Sequence, residues 1–350
     1  MAAPRILFLD DDHVLRIFRL LLRGHVADPA LATWFAPEVV DLHPVVAQFR
    51  GLMQSDGAVV GTLEEEPSLA RDADAMVFRR GTITEDLLAQ HPRLAIVARL
   101  GERTEGIDLA AAARRQVRIH CPPRPTIYYT AEHALLLMLA CAKRLIEGDA
   151  TVRRGAAGAA APAQAGKIVY NWPGFSRVEG LHGRTLGLVG LGGVGALVAR
   201  LAVAFGMTVI YTKPNRATPE HEHGLGVRYC SRAELLAASD FVSLHVPVTP
   251  DTTRMVDRAF LAAMKPGAFL INTSRGSMVD EDALHAALLS GHLGGAGLDV
   301  HATEPRPAGD RFAALPNVVL TPHNAGGARS GVLAEFVGLA AALRASLAIA

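Results

Sequence analysis

The stretch TLGLVGLGGVGALVARLAVAFGMTVIYT, residues 185–212, decides how this chain folds. A compact apolar run, TLGLV, passes directly into Gly190-x-Gly192-x-x-Gly195. A helical segment, ALVARLAVAFG, follows at once, and a second apolar run, TVIYT, comes after it. Each glycine has its own physical task. Gly190 permits a tight turn out of the strand, Gly192 lets the backbone approach a pyrophosphate, and Gly195 lets the helix pack close to the strand. The N–H groups of Gly193 and Val194 then point at the phosphates with the helix dipole behind them. A bare GxGxxG string would be a glycine-rich turn and nothing more. With strand, helix and second strand all in place, it reads as a dinucleotide-binding loop.

The second strand ends in YTKPNR, residues 211–216. A dinucleotide fold that selects NAD carries an acid here, which accepts a hydrogen bond from the ribose 2′-OH. No acid is present. Lys213 stands near that position with Arg216 close by, and cations suit a 2′-phosphate. The expected cofactor is therefore NADP or NAD, with NADP favoured. The competing reading is a solvated lysine, with the ribose held by another group.

Outward from this unit the chain alternates short apolar runs with helical patterns, which favours a parallel α/β architecture. RILFLD, VVGTL, AMVFR and LAIVARL read as strands, and TITEDLLAQH opens a helix with a Thr-Glu pair. Residues 1–125 form one βα-alternating domain in this reading. TAEHALLLMLACAKRLIEG reads as one long helix, capped by Thr130 and stopped by Gly148. The Ala/Gly-rich stretch RRGAAGAAAPAQAG, residues 153–166, reads as a mobile surface loop. FVSLHVP, AFLINTS, GAGLDV and NVVLTPH continue the strands, so residues 126–327 make a nucleotide domain. The last helix, from about residue 328 in the sequence, is expected to return to the first domain, which then comprises 1–125 plus 328–350.

Composition narrows the function. Of 350 residues, 35 are Lys or Arg and 34 are Asp or Glu, so nothing points to nucleic acid as a partner. The longest apolar run, ALLLMLACA, is too short to span a bilayer, and MAAPRILFLDDD reads as a strand rather than a signal-peptide core. Cys121, Cys141 and Cys230 lie far apart without metal-ligand spacing. The expectation is a cytoplasmic protein with no metal and no membrane partner.

Three more strands end in polar residues. FLINTSRG ends in Arg275, GAGLDVHATEP carries Asp299 and Glu304, and VVLTPHNAGG carries His323. In an open parallel sheet, ligands bind outside the carboxyl ends of the strands, so these side chains emerge on the cofactor's edge. Arginine offers a planar fork that matches a carboxylate. Histidine can give or take a proton near neutral pH, and a carboxylate beside it favours the imidazolium and fixes the ring. Singly, each has a bland reading as a surface or loop residue. Together, after a dinucleotide loop, they read as a catalytic set.

At these motifs the chain resembles the D-isomer-specific 2-hydroxyacid dehydrogenase family. TAEHALLLMLA, GRTLGLVGLGGVG, SDFVSLHVPVTPDT, LINTSRGSMVDEDAL, GLDVHATEP and LTPHNAGG carry the resemblance, which is clearest over residues 126–327. It implies an α/β fold of two Rossmann-like domains with parallel sheets and an interdomain active-site cleft. It implies hydride transfer between NAD(P) and a 2-oxo acid or D-2-hydroxy acid, with His323 as proton donor, Glu304 as its partner and Arg275 on the substrate carboxylate. It further implies that Thr273 and Asp299 lie near the nicotinamide, that Pro247 lies beside the adenosine, and that the chain forms a homodimer through the nucleotide domains. RLGERTEGID departs from the family's glycine-rich substrate loop by carrying Glu102 and Arg103. IHCPPRPTIYY also lacks the usual Asn-Pro-Gly-type sequence. Arg79, Arg80 and Arg103 could then extend into the cleft and admit an acidic or bulkier substrate. The alternative function is a dinucleotide-dependent, corepressor-like binding protein with little turnover.

Overall fold

Strands buried on both faces read as unbroken apolar runs, and such strands form the centres of two parallel sheets here. The computed structural model describes residues 3–122, 124–155 and 170–348. Its chain divides into two compact units, one of Met1–Thr126 with Ala328–Ala350, the other of Ile127–Gly327. Among the described residues no helix is long and apolar enough to cross a membrane.

The first unit holds β1 (Arg5–Phe8), β2 (Val59–Gly61), β3 (Ala75–Phe78), β4 (Ile96–Arg99) and β5 (Arg118–His120). They lie in the order β2-β1-β3-β4-β5. All side chains of β3 and β4 are buried, because both faces of the sheet are covered. One face is closed by the His13–Leu22 helix and by the C-terminal Val332–Ser346 helix, whose Phe336 stacks on Phe18 at 5.0 Å between ring centroids. Arg124 Nε reaches the buried Glu335 carboxylate at 2.7 Å and ties that last helix to the end of β5. In the short Glu85–Ala89 helix the Thr84 side chain accepts from the Leu87 N–H, so the Thr-Glu opening acts as a cap.

The second unit holds β6 (Thr185–Val189), β7 (Thr208–Thr212), β8 (Val227–Tyr229), β9 (Phe241–Leu244), β10 (Phe269–Asn272), β11 (Gly295–Leu298) and β12 (Val318–Leu320). Their order is β12-β11-β10-β9-β6-β7-β8. The chain runs outward from β6 through β7 to β8, then crosses back to β9 on the other side of β6. The strand order therefore reverses between β6 and β9, and such a switch point opens a crevice at the carboxyl edge.

One helix differs from expectation. It spans Pro125–Ala142, so Thr130 lies inside it rather than capping it. Proline is pre-organised for a first helical position, which explains the earlier start. The helix also ends before Gly148. Arg144 takes a left-handed conformation, φ 50°, and a separate helix, Leu145–Arg154, begins there. Arg144 is held in the break by the Glu147 carboxylate and the Ser176 carbonyl. Of the Ala/Gly-rich stretch expected to be mobile, residues 156–166 lie outside the described residues.

Candidate active site

The glycine turn sits at the switch point. Gly190 has φ +101°, and a Cβ there would stand 2.4 Å from the His245 carbonyl oxygen at the end of β9. At Gly195 a Cβ would meet the Gly190 oxygen at 2.5 Å. These two glycines are therefore required by contacts within the fold. Gly192 is different, because a Cβ there meets nothing within 4 Å. No packing demands a glycine at that point, and a close-approaching ligand would. The Gly193–Ala204 helix starts beside it with no side-chain cap, which leaves the first N–H groups, Gly193 and Val194 among them, open to an anion. On the facing strand end, burial pushes His245 down to about 4, so the ring is neutral, and it pairs with Ser243 Oγ at 2.9 Å. Pro247 follows, exposed, with its carbonyl accepting from Thr252 Oγ1 at 2.7 Å.

Gly190 N–H donates to the Thr212 carbonyl at 2.9 Å, which sets the end of β7 against the glycine turn. Lys213 comes next, half-buried and without a partner among the described residues. Arg216 is not free in this way. It grips Glu222 with two bonds, Nε to Oε1 at 2.8 Å and Nη2 to Oε2 at 2.7 Å. The expected pair of available cations is thus one available cation and one engaged in an ion pair.

Arg275, Glu304 and His323 leave the ends of β10, β11 and β12. His323 Nδ1 donates to Glu304 Oε2 at 2.7 Å, and Glu304 Oε1 accepts from the His301 N–H at 2.9 Å. Burial would raise the Glu304 carboxyl, but the His323 ring and the His301 amide outweigh it and hold the carboxyl below its ordinary value. Nε2 of His323 has no partner among the described residues. Arg275 is exposed, and among the described residues its guanidinium bonds only the neighbouring Ser274 carbonyl, at 2.5 Å. A Cβ on Gly276 would fall 2.0 Å from the His301 carbonyl carbon, so the loop carrying Arg275 abuts the loop carrying Glu304. The Thr273 hydroxyl, at the end of β10, is buried with no hydrogen-bond partner among the described residues.

Asp299, expected near the nicotinamide, directly follows β11. It is fully buried, and its oxygens accept from Thr321 Oγ1 at 2.6 Å and from the N–H groups of Asn324 and Ala325 at 3.0 Å. It anchors the turn that carries His323, whose own N–H donates to the Asp299 carbonyl at 2.8 Å. His133 was not anticipated as part of this assembly. Its Nε2 lies 2.9 Å from Thr321 Oγ1, and because that hydroxyl gives its proton to Asp299, His133 must be the donor. The available signal was one imidazole inside the apolar run of TAEHALLLMLA. Of the arginines in the first unit, Arg79 is paired with the buried Asp12 at 2.7 Å, and Arg103 is exposed without a side-chain partner among the described residues.

The chain is similar to known proteins. The family model described as D-isomer specific 2-hydroxyacid dehydrogenase, NAD binding domain, matches residues 135–325. A D-3-phosphoglycerate dehydrogenase of Mycobacterium leprae is 41% identical over 72% of this chain. The match spans 45% of that relative, so this chain covers about half its length. A glyoxylate reductase of Korarchaeum cryptofilum is 40% identical over 73% of this chain and 74% of the relative. The solved D-mandelate dehydrogenase of Rhodotorula graminis superposes with a TM-score of 0.60 at 28% identity, covering 95% of this chain and 91% of that one. The switch-point glycine turn and the sequence it shares with these relatives lead to one statement: this chain belongs to the D-isomer specific 2-hydroxyacid dehydrogenase family.

Proposed function

We propose that this protein moves a hydride between a nicotinamide dinucleotide and C2 of a small acid, reducing a 2-oxo acid or oxidising a D-2-hydroxy acid. The observation that carries the reading is the 2.7 Å His323–Glu304 pair, set one strand over from an arginine with no acid partner among the described residues. The bound nicotinamide supplies or accepts the hydride. The remaining tasks fall to the chain. Arg275 takes the substrate carboxylate on its planar fork, and its charge draws electron density toward the carbonyl oxygen. His323 gives a proton from Nε2 to the oxygen on C2, and takes it back in the oxidising direction. Glu304 accepts from Nδ1, which fixes the ring's orientation and favours its protonated form before transfer.

In the same reading the first unit holds the substrate and the second holds the dinucleotide. The open space at Gly192 and the N–H groups of Gly193 and Val194 suit the pyrophosphate. Pro247 borders the adenosine, and the buried Thr273 hydroxyl suits a polar edge of the nicotinamide. NADP is favoured over NAD because Lys213 stands where an acid would select NAD. With Arg216 engaged by Glu222, the expected margin is that of a single cation, below about tenfold. A homodimer belongs to the proposal, supported by Leu145, Ile146 and Val152, which stand exposed on the Leu145–Arg154 helix. A cytoplasmic setting fits the free thiols of Cys121, Cys141 and Cys230. The test is a panel of 2-oxo acids assayed with NADH and NADPH separately. Turnover of at least one acid supports the proposal. Tight cofactor binding without turnover across the panel replaces it with the binding-protein reading.

A further inference from the structure

A network of five residues lies around the end of β7. Helix Pro219–Leu225 turns Glu222 inward, where the residue is 8% exposed. Its Oε1 accepts from the Tyr211 hydroxyl at 2.6 Å and from Arg216 Nε at 2.8 Å, while Oε2 accepts from Arg216 Nη2 at 2.7 Å. The Tyr211 oxygen accepts in turn from the Ala217 N–H at 2.9 Å, and the Arg216 guanidinium lies 5.5 Å from the centre of the Tyr229 ring. Arg216 first, and the Tyr211 hydroxyl second, hold the Glu222 carboxyl down at about 2, so it is an anion throughout the neutral range. Lys213, at the mouth of the same loop, has no partner among the described residues.

Resting on the reading of the glycine turn as a dinucleotide site, we infer that Glu222 sets the strength of preference for a ribose 2′-phosphate, by cancelling the charge of Arg216 and leaving Lys213 as the net cation of the loop. An ion pair closed by two short bonds presents a dipole rather than a full charge, and the field of a dipole falls off faster with distance. Nor can the guanidinium leave freely, because it would strand a largely buried carboxylate without a counter-charge. The E222Q substitution keeps an oxygen for the Tyr211 hydroxyl and Arg216 Nε and removes the cancelling charge, while its amide NH2 takes the place of the oxygen that accepts from Arg216 Nη2. A unit of positive charge is then added to the loop with little change of shape.

The experiment is a charge cycle. Wild type, E222Q, R216M and the E222Q/R216M double variant are each titrated calorimetrically with 2′,5′-ADP and with 5′-AMP, at one low salt concentration. The quantity read is the affinity ratio of the first nucleotide to the second. E222Q raises the ratio about fivefold, the scale of one exposed cation–phosphate contact. R216M lowers it by a similar factor, because the Glu222 charge is then uncancelled. The double variant returns near wild type. A fall of the ratio in E222Q overturns the inference, since Glu222 would then be orienting Arg216 as a direct phosphate ligand. An unchanged ratio, with both nucleotides bound, overturns it as well by placing the network out of reach. If no protein binds either nucleotide, the dinucleotide reading fails and the inference fails with it. Should E222Q melt below the assay temperature, R216M decides alone, and a ratio that does not fall rejects the inference.

Discussion

Replacing Gly192 by alanine separates what the fold needs from what a ligand needs. Gly192 has φ −96° and ψ −162°, a conformation open to any residue, and a Cβ there meets nothing within 4 Å. Two small effects on folding oppose each other. Alanine is a poorer helix N-cap than glycine, and it loses less backbone entropy on folding, with each effect worth about 0.5–1 kcal/mol. In a unit of this size about 1 kcal/mol moves Tm by roughly 2–4 °C, so the net shift should stay below about 4 °C. Nucleotide binding should suffer much more. A methyl group at the closest approach pushes the pyrophosphate off the N–H groups of Gly193 and Val194. A hydrogen bond to a charged group is worth about 1.5–3 kcal/mol, so losing one weakens binding by roughly tenfold to 150-fold. Gly190→Ala is the control. Its Cβ would lie 2.4 Å from a backbone oxygen at φ +101°, so both Tm and affinity should fall. Differential scanning fluorimetry and calorimetric titration with NADPH and NADH read the two effects. Wild-type affinity in a well-folded Gly192→Ala protein would refute the assignment of that open space to the pyrophosphate.

Other variants test the remaining roles. His323→Ala should bind cofactor normally and lose about 10²–10⁴-fold in kcat for reduction, the usual contribution of a general acid, and turnover near wild type would remove it from the mechanism. Glu304→Gln takes away the anion 2.7 Å from the ring, so reduction should fade at a lower pH than in wild type, as measured by the pH–rate profile. The same carboxyl is held below its ordinary value, so its contribution to wild-type stability is full above the ordinary glutamate pKa and is lost as pH falls through the depressed one. In the glutamine variant that part of the acid-side drop in Tm should disappear. Arg275→Lys keeps the charge but loses the fork, so KM for the oxo acid should rise and kcat should fall; if neither moves, the carboxylate is held elsewhere, with Arg103 the next residue to replace.

The legible parts of this chain were those where one physical requirement dominates a short window. TLGLV and AMVF are buried on both faces, and their apolar runs say so. Two strands, β5 and β8, gave no such signal. Each is a three-residue edge strand, with neighbours on one side only, and each carries an exposed arginine, Arg118 or Arg228, where a central strand would carry an apolar residue. His323 and Glu304 were legible as a pair because both follow strand ends, whose direction in a parallel sheet is common to all strands. The engagement of Arg216 was not legible. It depends on which face of a seven-residue helix turns inward, and PEHEHGL offers acids at both Glu220 and Glu222. The anchoring contacts of Asp299 were not legible for a related reason: position at a strand end says that a residue reaches the carboxyl edge, not whether its side chain points out of the sheet or under the next loop.

That inward turn explains why His323 is held so firmly. His323 has φ 54°, a left-handed conformation that costs a non-glycine residue about 1–3 kcal/mol unless its surroundings impose it. Asp299 imposes it. A fully buried carboxylate would be costly on its own, but here the donors that satisfy it are Thr321 Oγ1 and the N–H groups of Asn324 and Ala325, which flank His323 in the chain. Those donors converge on one carboxylate only if the turn between them has this shape. His133 completes the arrangement by donating to the Thr321 oxygen, and His301 Nε2 donates to the Thr321 carbonyl at 2.9 Å. The His301 tautomer is fixed as well, since Arg306 Nε donates to its Nδ1 at 2.8 Å. With the backbone set from below and Nδ1 held by Glu304, the imidazole retains little freedom, and Nε2 is the one ring nitrogen left to exchange a proton. If His323 is the proposed proton donor, most of the entropy of placing it against a substrate is lost during folding rather than during each turnover, which is the condition under which a general acid is effective. An incidental surface histidine would have no reason to sit in a strained conformation above a buried charge.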